Sequence, residues 1–480
     1  MNIMKKIKRM LIILVLIVIS FLIGTLIHVS FTVFNQHNDN LFPVLEKMLQ
    51  RKVIVAYVEE RTPEYFKIKF MCLYDESIEI KELRYNNRLF RPRVNRIITP
   101  IKTGEKIKYT TVIFYLTQEK VDNLSSREEI TLFYRMISSG EEKSINVIKW
   151  KLYDERAYIH LSKNSLNLEE WPFLLIDREN KLVQIRAGKW NINQNIVFPR
   201  GYRINVGPDT KLNLLNSSKI ISYSPIYFLG IKNKPIIIQS EDKTGQGLVI
   251  IGAQDKSILS HVIFKDLSNA QVMAWGISGG INFYESDVEI RNCLFSGNIH
   301  GDDMLNIIRS EFYIADTIFS DIKADAIDSD FSKGKILNCR FIDVGNDGID
   351  TSGSQITINQ VYMELIRDKA ISAGEGSDIS IGNLQIKGAE IALTSKDNSR
   401  IIGKDVLIQD SKLGFSVFTK KSEYGPGFID VKNVQVRNIA VLYLLEKKSH
   451  LFINNEEMKY TDKNVKNRLY GVDFGTKSIK

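Results

Sequence analysis

Acidic and polar residues recur at a fixed interval in one part of this chain. Asp303, Asp325 and Asp347 follow one another every 22 residues, and Lys369 takes the next place. Three residues on, Asn306, Asp328, Asp350 and Ser372 keep the same interval. A constant period in the twenties, carried by short β-branched runs, belongs to a chain that coils rung upon rung. Equivalent residues of successive rungs then lie one strand spacing apart, roughly 4.8 Å. Carboxylates stacked that closely repel one another unless a cation or a shared proton comes between them.

Three chemistries fit such columns. In the first, Asp303, Asp325, Asp347 and Asp330 bind Ca²⁺, which collects about six to eight oxygen ligands. The ion neutralises a uronate carboxylate, Lys369 accepts the C5 proton, and Asp328 and Asp350 complete the acid–base set of a lyase or epimerase. In the second, two of the aspartates hydrolyse a glycosidic bond. Adjacent rungs, at roughly 4.8 Å, approximate the retaining separation of about 5–5.5 Å, and alternate rungs approach the inverting range. In the third nothing is catalysed: Asp and Asn hold the turns of the coil, and the protein binds polymer or serves as a surface structure. Asn306, Ser352, Arg340 and Arg367 are the candidate substrate-binding residues, with His300 and Arg309 as neighbours. The histidines form no His-x-His or His-Glu-x-x-His spacing, so no zinc site is expected.

Strand alternation must position these groups. In Gly348-Ile349-Asp350-Thr351-Ser352, Ile349 points into the bore while Asp350 and Ser352 point outward. The same alternation turns Asn306, Asp328 and Asp330 outward on earlier rungs. Ile290, Ile314, Ile336 and Ile358 form one interior column, and Phe295, Phe319 and Phe341 stack in another. Asn292, Asp316 and Asn338 fall where a turn demands residues tolerant of unusual backbone angles.

The organisation predicted from these patterns is all-β: a right-handed parallel β-helix preceded by a β-sandwich and an N-terminal transmembrane helix. Residues 1–9 are a basic cytoplasmic tail, and residues 10–34 an apolar run longer than the roughly 20 residues that span a bilayer. No Ala-x-Ala-like cleavage site follows, so the run reads as an uncleaved signal anchor of a single-pass membrane protein with its bulk extracytoplasmic. Residues 41–160 alternate with period two over about seven strands and suggest a sandwich that spaces the distal domain from the membrane. Residues 180–445 form the coil, and 446–480 its C-terminal cap and tail.

The net charge of +9 is unevenly spread. Residues 300–350 hold 11 acidic and 5 basic side chains, a local −6 that leaves +15 on the remainder. Basic–aromatic interleaving and helix-turn-helix patterns are missing, which argues against nucleic acid as a partner. The three cysteines do not make a disulfide scaffold, and Cys293 and Cys339 share a column two rungs apart with Thr317 between them.

These repeats resemble the right-handed parallel β-helix of the pectin-lyase-like superfamily over roughly residues 180–445. The runs Asp302-Asp303-Met304-Leu305-Asn306, Asp325-Ala326-Ile327-Asp328-Ser329-Asp330 and Asn346-Asp347-Gly348-Ile349-Asp350 are similar to a bacterial extracellular β-helix module, associated with proteins of the spore-coat CotH type. The resemblance implies the fold. It assigns no activity, because the Gly-His-Gly and Arg-Ile-Lys motifs of polygalacturonase-like members are missing here. The leading expectation is a membrane-anchored, Ca²⁺-assisted lyase or epimerase on an acidic envelope polysaccharide.

Overall fold

The computed structural model describes residues 54–72, 76–86, 88–94, 96–100, 109–120, 130–147, 168–272, 275–421, 424–471 and 474. The anchor expected at residues 10–34 lies outside them, and among the described residues no helix is long and apolar enough to cross a membrane.

From Leu182 onward the chain coils as a right-handed parallel β-helix, after a first strand, Leu174–Asp177, that pairs antiparallel with Leu182–Ile185. One coil consists of the strands Asp303–Ile308, Glu311–Ala315 and Ile318–Ile322, and the next of Asp325–Asp330, Lys333–Leu337 and Arg340–Val344. Further on, the second and third strands merge into Gln355–Ile366, Asp378–Lys387, Arg400–Gln409 and Phe428–Arg437. Each merged strand bends at a residue with positive φ, namely Gln360, Asn383, Asp405 and Asn433. These continue the column of Asn292, Asp316 and Asn338, which have φ values of 53°, 52° and 50°. The side chains also link rungs, since Asn338 Nδ2 donates to Asp316 Oδ1 at 2.6 Å.

Inward columns fill the bore as alternation requires. Ile290, Ile314, Ile336 and Ile358 pair in register, each fully buried. Phe264, Phe295, Phe319 and Phe341 stack with successive centroid separations of 4.9, 4.8 and 4.8 Å. Cys293 and Cys339 are buried free thiols. A serine ladder adds a polar seam at one corner. Ser286, Ser310, Ser332, Ser354 and Ser377 each donate a backbone N–H to the hydroxyl of the serine one rung later, ending at Ser399.

The chain begins its coil at an aromatic cap, where Trp171, Phe173 and Trp190 pack ring against ring. At the far end the tail does more than close the bore. Its helix Val465–Leu469 lies on the outer side of the solenoid, burying Val465 and Leu469 against Ile391, Leu413, Phe418 and Leu444.

Ahead of the solenoid, strands between Ile54 and Asn146 form one hydrogen-bonded antiparallel sheet of eight strands around its own core, which includes Phe66, Phe70, Phe114 and Leu132. The antiparallel strands agree with the sequence pattern. Two separate packed sheets, as in the expected sandwich, are not confirmed, because all eight strands belong to the one sheet.

Candidate functional site

The outer side of one parallel sheet is where the solenoid departs from its apolar pattern. That sheet has eleven strands, from Ile196–Phe198 to Val441–Leu445. Its outward positions are apolar at both ends. Toward the N-terminal end Val197, Ile221, Val249, Ile251, Tyr284 and Ile308 are covered by Ala270 and Ile277. Toward the C-terminal end the helix Val465–Leu469 covers Leu413, Phe418 and Leu444. Between these covers the outward positions become Asp, Asn, Ser and Lys.

The register is the one the spacing predicts. Asp303 pairs with Asp325, and Asn306, Asp328, Asp350 and Ser372 pair in succession. Asp347 joins the first column through its backbone, its carbonyl accepting from Ala326 N at 3.0 Å. The carboxylates accept from the following rung: Asp347 N donates to Asp325 Oδ1 at 2.7 Å, and Lys369 N to Asp347 Oδ1 at 2.9 Å. Asn346 Nδ2 also donates to Asp325 Oδ1, at 2.6 Å. Asn306 Nδ2 bridges Asp303 Oδ2 at 3.2 Å and Asp328 Oδ2 at 2.6 Å.

Outward direction does not mean open surface here. Asp303, Asn306, Asp325, Asp330, Asp347, Lys369 and Ser372 are all buried. Asp328, Asp350 and Ser352 are half-buried, and the Asp350 side chain keeps 29% of its surface exposed. These three are the accessible part of the patch.

Two lysines divide the charge. Lys369 Nζ lies 2.7 Å from Asp368 Oδ2 and 3.3 Å from Asp347 Oδ1. Lys396, two rungs beyond Asp350, donates to Ser372 Oγ at 2.6 Å and stands 3.5 Å from Asp350 Oδ1. Burial favours the neutral form of both amines, but the facing carboxylates outweigh it and hold both firmly protonated. Lys369 is therefore an ammonium in this arrangement, whereas the expected role was proton acceptor.

The aspartates separate accordingly. Burial pushes Asp325 well up, and Asp347, Asp303 and Asp350 push it further. Burial also raises Asp347, to about 6, with Lys369 offsetting part of the rise. Asp350 goes the other way: burial opposes its charge, but Lys396, Lys369 and the Ser372 hydroxyl outweigh that and keep it ionised. Two acids shifted in opposite directions, Asp347 raised to about 6 and Asp350 lowered, thus occur three residues apart on one rung. Environments that drive two acids apart in this way are the usual basis for dividing acid and base roles.

The expected metal ligands do not converge. Asp325 and Asp347 each commit an oxygen to two N–H donors. Among the described residues no three His, Cys, Asp or Glu side chains are grouped so as to hold a metal ion. Two expected substrate-binding residues are engaged elsewhere. Arg340 belongs to a strand of another face and lies 5.5 Å over the Tyr362 ring, and Arg367 Nη2 donates to Asp343 Oδ1 at 2.8 Å. His300 is exposed.

Sequence reasoning reads Lys396, with Asp397, as solvated surface or an extension of a sugar- or anion-binding groove rather than as a partner of Asp350, and it misses Asp368 as a member of the patch and Tyr470 as part of its cover. Lys396 follows Lys369 by 27 residues rather than 22, because it stands in a different outward column. It could have been found by continuing the column Asp330–Ser352–Gly374. Tyr470 comes from the tail. Its ring packs against Phe418, its buried hydroxyl has no hydrogen-bond partner, and it bears on the charge of both lysines.

No known protein family and no curated protein matches the chain. Solved structures give low-scoring likenesses. The catalytic domain of a GH87 α-1,3-glucanase in complex with tetrasaccharides aligns at 10% identity and a TM-score of 0.29, covering 84% of this chain and 98% of that one. A periplasmic alginate epimerase aligns at 10% identity and 0.32, covering 60% and 82%. An alginate lyase from Paenibacillus sp. aligns at 9% identity and 0.26, covering 52% and 98%. At such scores no residue or activity is carried from them onto this chain.

Proposed function

We propose that this protein is a carbohydrate-active hydrolase that cleaves glycosidic bonds at the Asp328–Asp350 patch. The observation behind the reading is the collection of Asp325, Asp328, Asp347 and Asp350 on adjacent rungs, with Lys369 and Lys396 deciding which of them stays ionised. Asp350 serves as the carboxylate that attacks the anomeric carbon or activates water. Asp328, the other accessible carboxyl, on the adjacent rung, protonates the leaving oxygen, and buried Asp347 stands behind the pair as a positioning residue. Half-buried Ser352 lines the sugar-binding surface beside them.

The charge balance favours a neutral or amino-bearing polysaccharide over the acidic one expected. Asp347 and Asp368 face Lys369 and Asp350 faces Lys396, so both ammonium groups are already committed to carboxylates, while Asp303, Asp325, Asp328 and Asp330 add acidic groups on the preceding rungs. A polyuronate would add negative charge to this surface, while hydroxyl or ammonium donors suit its acceptors. The basic N-terminus and the apolar run after it support an extracytoplasmic site of action, which protease protection on intact cells tests directly.

The test is a reducing-end assay on a neutral glucan, a deacetylated hexosamine polymer and a polyuronate, with wild type beside Asp350→Asn. Cleavage of either of the first two, lost in the variant, supports the reading. Ultraviolet-absorbing unsaturated product from the polyuronate would replace it with elimination. Binding without cleavage would favour a non-catalytic polymer-binding protein, a reading supported by the carboxylates that accept backbone N–H groups as a structural ladder would.

A further inference from the structure

The column that borders the polar patch is conformationally unusual. Immediately after the outward residues Tyr284, Ile308, Asp330, Ser352, Gly374 and Lys396 come Glu285, Arg309, Phe331, Gly353, Glu375 and Asp397. All six have positive φ, between 48° and 63°. Glycine takes that conformation freely, but a bulky side chain such as Phe331 does not, and its persistence requires compensating contacts.

The compensating contacts come from the N-terminal sheet. Phe331 packs against the Tyr57 ring at 4.5 Å. Tyr57 is buried and its hydroxyl lies 2.6 Å from the hydroxyl of Tyr424, which is also buried. Tyr109 adds an edge-on ring 6.3 Å from Tyr57, and its hydroxyl reaches the Gly353 carbonyl at 3.5 Å. One rung earlier Arg309 Nη1 donates to the carbonyl of Val58 while its Nε pairs with Glu285 at 3.0 Å. Gly353 is needed for the fit. A Cβ there would come within 2.6 Å of the Phe331 ring and 3.4 Å of the Tyr109 hydroxyl.

We propose that the N-terminal sheet is a fixed side wall of the candidate site, docked on this left-handed column through Tyr57, Phe331 and Tyr424, and is not a spacer. Burial of Tyr57 and Tyr424 rules them out as sugar-stacking platforms and makes them positioning residues. The wall stands beside Asp330, Ser352 and Lys396, and it faces Glu375, whose carboxylate is ion-paired with Lys421. A polymer then reaches Asp328 and Asp350 from the Asp303–Lys369 edge. The catalytic consequence rests on the hydrolase reading; the docking does not.

The full-length chain decides this by hydrogen exchange and kinetics, comparing wild type, Tyr57→Ala, Tyr57→Phe and Phe331→Gly. Docking predicts that Tyr57→Ala speeds exchange at least tenfold in peptides spanning residues 352–376 and 54–61, and leaves the interior rungs around Ile290 and Ile314 unchanged. That unchanged core distinguishes undocking from misfolding. Tyr57→Phe, which keeps the ring, stays within about threefold of wild type. Phe331→Gly relieves the backbone and still loosens the 54–61 peptides, because the ring contact is lost. Where a polymer is cleaved, Tyr57→Ala raises KM severalfold with kcat within twofold, and Tyr57→Phe restores KM. Unchanged exchange of both peptides in Tyr57→Ala overturns the wall. Loosened peptides with no cleavage of any polymer keep the wall and remove the hydrolase.

Discussion

Asp347 gives the sharpest quantitative handle on the buried patch. Its carboxyl titrates at about 6 in the folded protein against 3.8 ordinarily, because burial outweighs the attraction of Lys369. A gap of about two pH units corresponds to about 3 kcal/mol. The folded value is the raised one, so between pH 4 and pH 6 the unfolded chain binds fewer protons than the folded one. This group's contribution is therefore complete below about pH 4 and is lost as pH rises through about 6. Asp325 and Asp397, raised by burial, act in the same direction. Asp350, lowered by Lys396 and Lys369, acts only at more acid pH and does not cancel them in this window. Asp347→Asn fixes the neutral state while preserving the acceptor for Lys369 N, and Lys369 keeps Asp368 as its charged partner. Urea midpoints at pH 4, 5, 6 and 7 should show wild type losing up to about 3 kcal/mol relative to Asp347→Asn across that range. A wild-type-to-variant difference that does not change with pH, or that favours wild type more as pH rises, would refute the assignment of a buried carboxyl that titrates well above its ordinary range.

Further outcomes follow from the same contacts. Lys396→Met leaves Asp350 beside Ser372 without its ammonium and should cost about 3–5 kcal/mol, with partial recovery in Lys396→Met/Asp350→Asn; equal urea midpoints for the two variants would contradict the pairing. Asp350→Asn should lower turnover by about two to four orders of magnitude with the fold intact by circular dichroism. Excess chelator should leave the rate of cleavage unchanged, since no metal-mediated step is invoked; loss of rate on chelation, restored by Ca²⁺, would return calcium to the mechanism. Phe319→Ala opens the centre of the ring stack and should cost about 3–5 kcal/mol by urea unfolding, whereas Ile318→Ala, half a turn of alternation away and exposed, should change little.

The β-helix and its register could be read from the chain because both are local consequences of period. A strand alternates sides every residue, and a coil of constant length returns each residue beside its counterpart. Spacing alone thus dictates the columns Asn306–Asp328–Asp350 and Ile290–Ile314–Ile336. The turn column at Asn292, Asp316 and Asn338 was equally legible, since Asn and Asp tolerate left-handed backbone. The serine ladder from Ser286 to Ser399 was present at nearly the same period but went unread, because serine carries little propensity signal.

Tertiary structure alone decided what lies over the sheet. Alternation says that Asp330 and Asn306 point away from the bore, but exposure depends on segments distant in sequence. The tail brings Tyr470 and the Val465–Leu469 helix onto the outer face, and the N-terminal sheet brings Tyr57 and Tyr109 to Phe331 and Gly353. Those covers exclude water, and that exclusion raises Asp325 and Asp347 while the paired carboxylates keep Lys369 and Lys396 charged. Periodicity could place the ionisable groups in columns. Which of them hold protons depended on burial and on partners that no local pattern encodes.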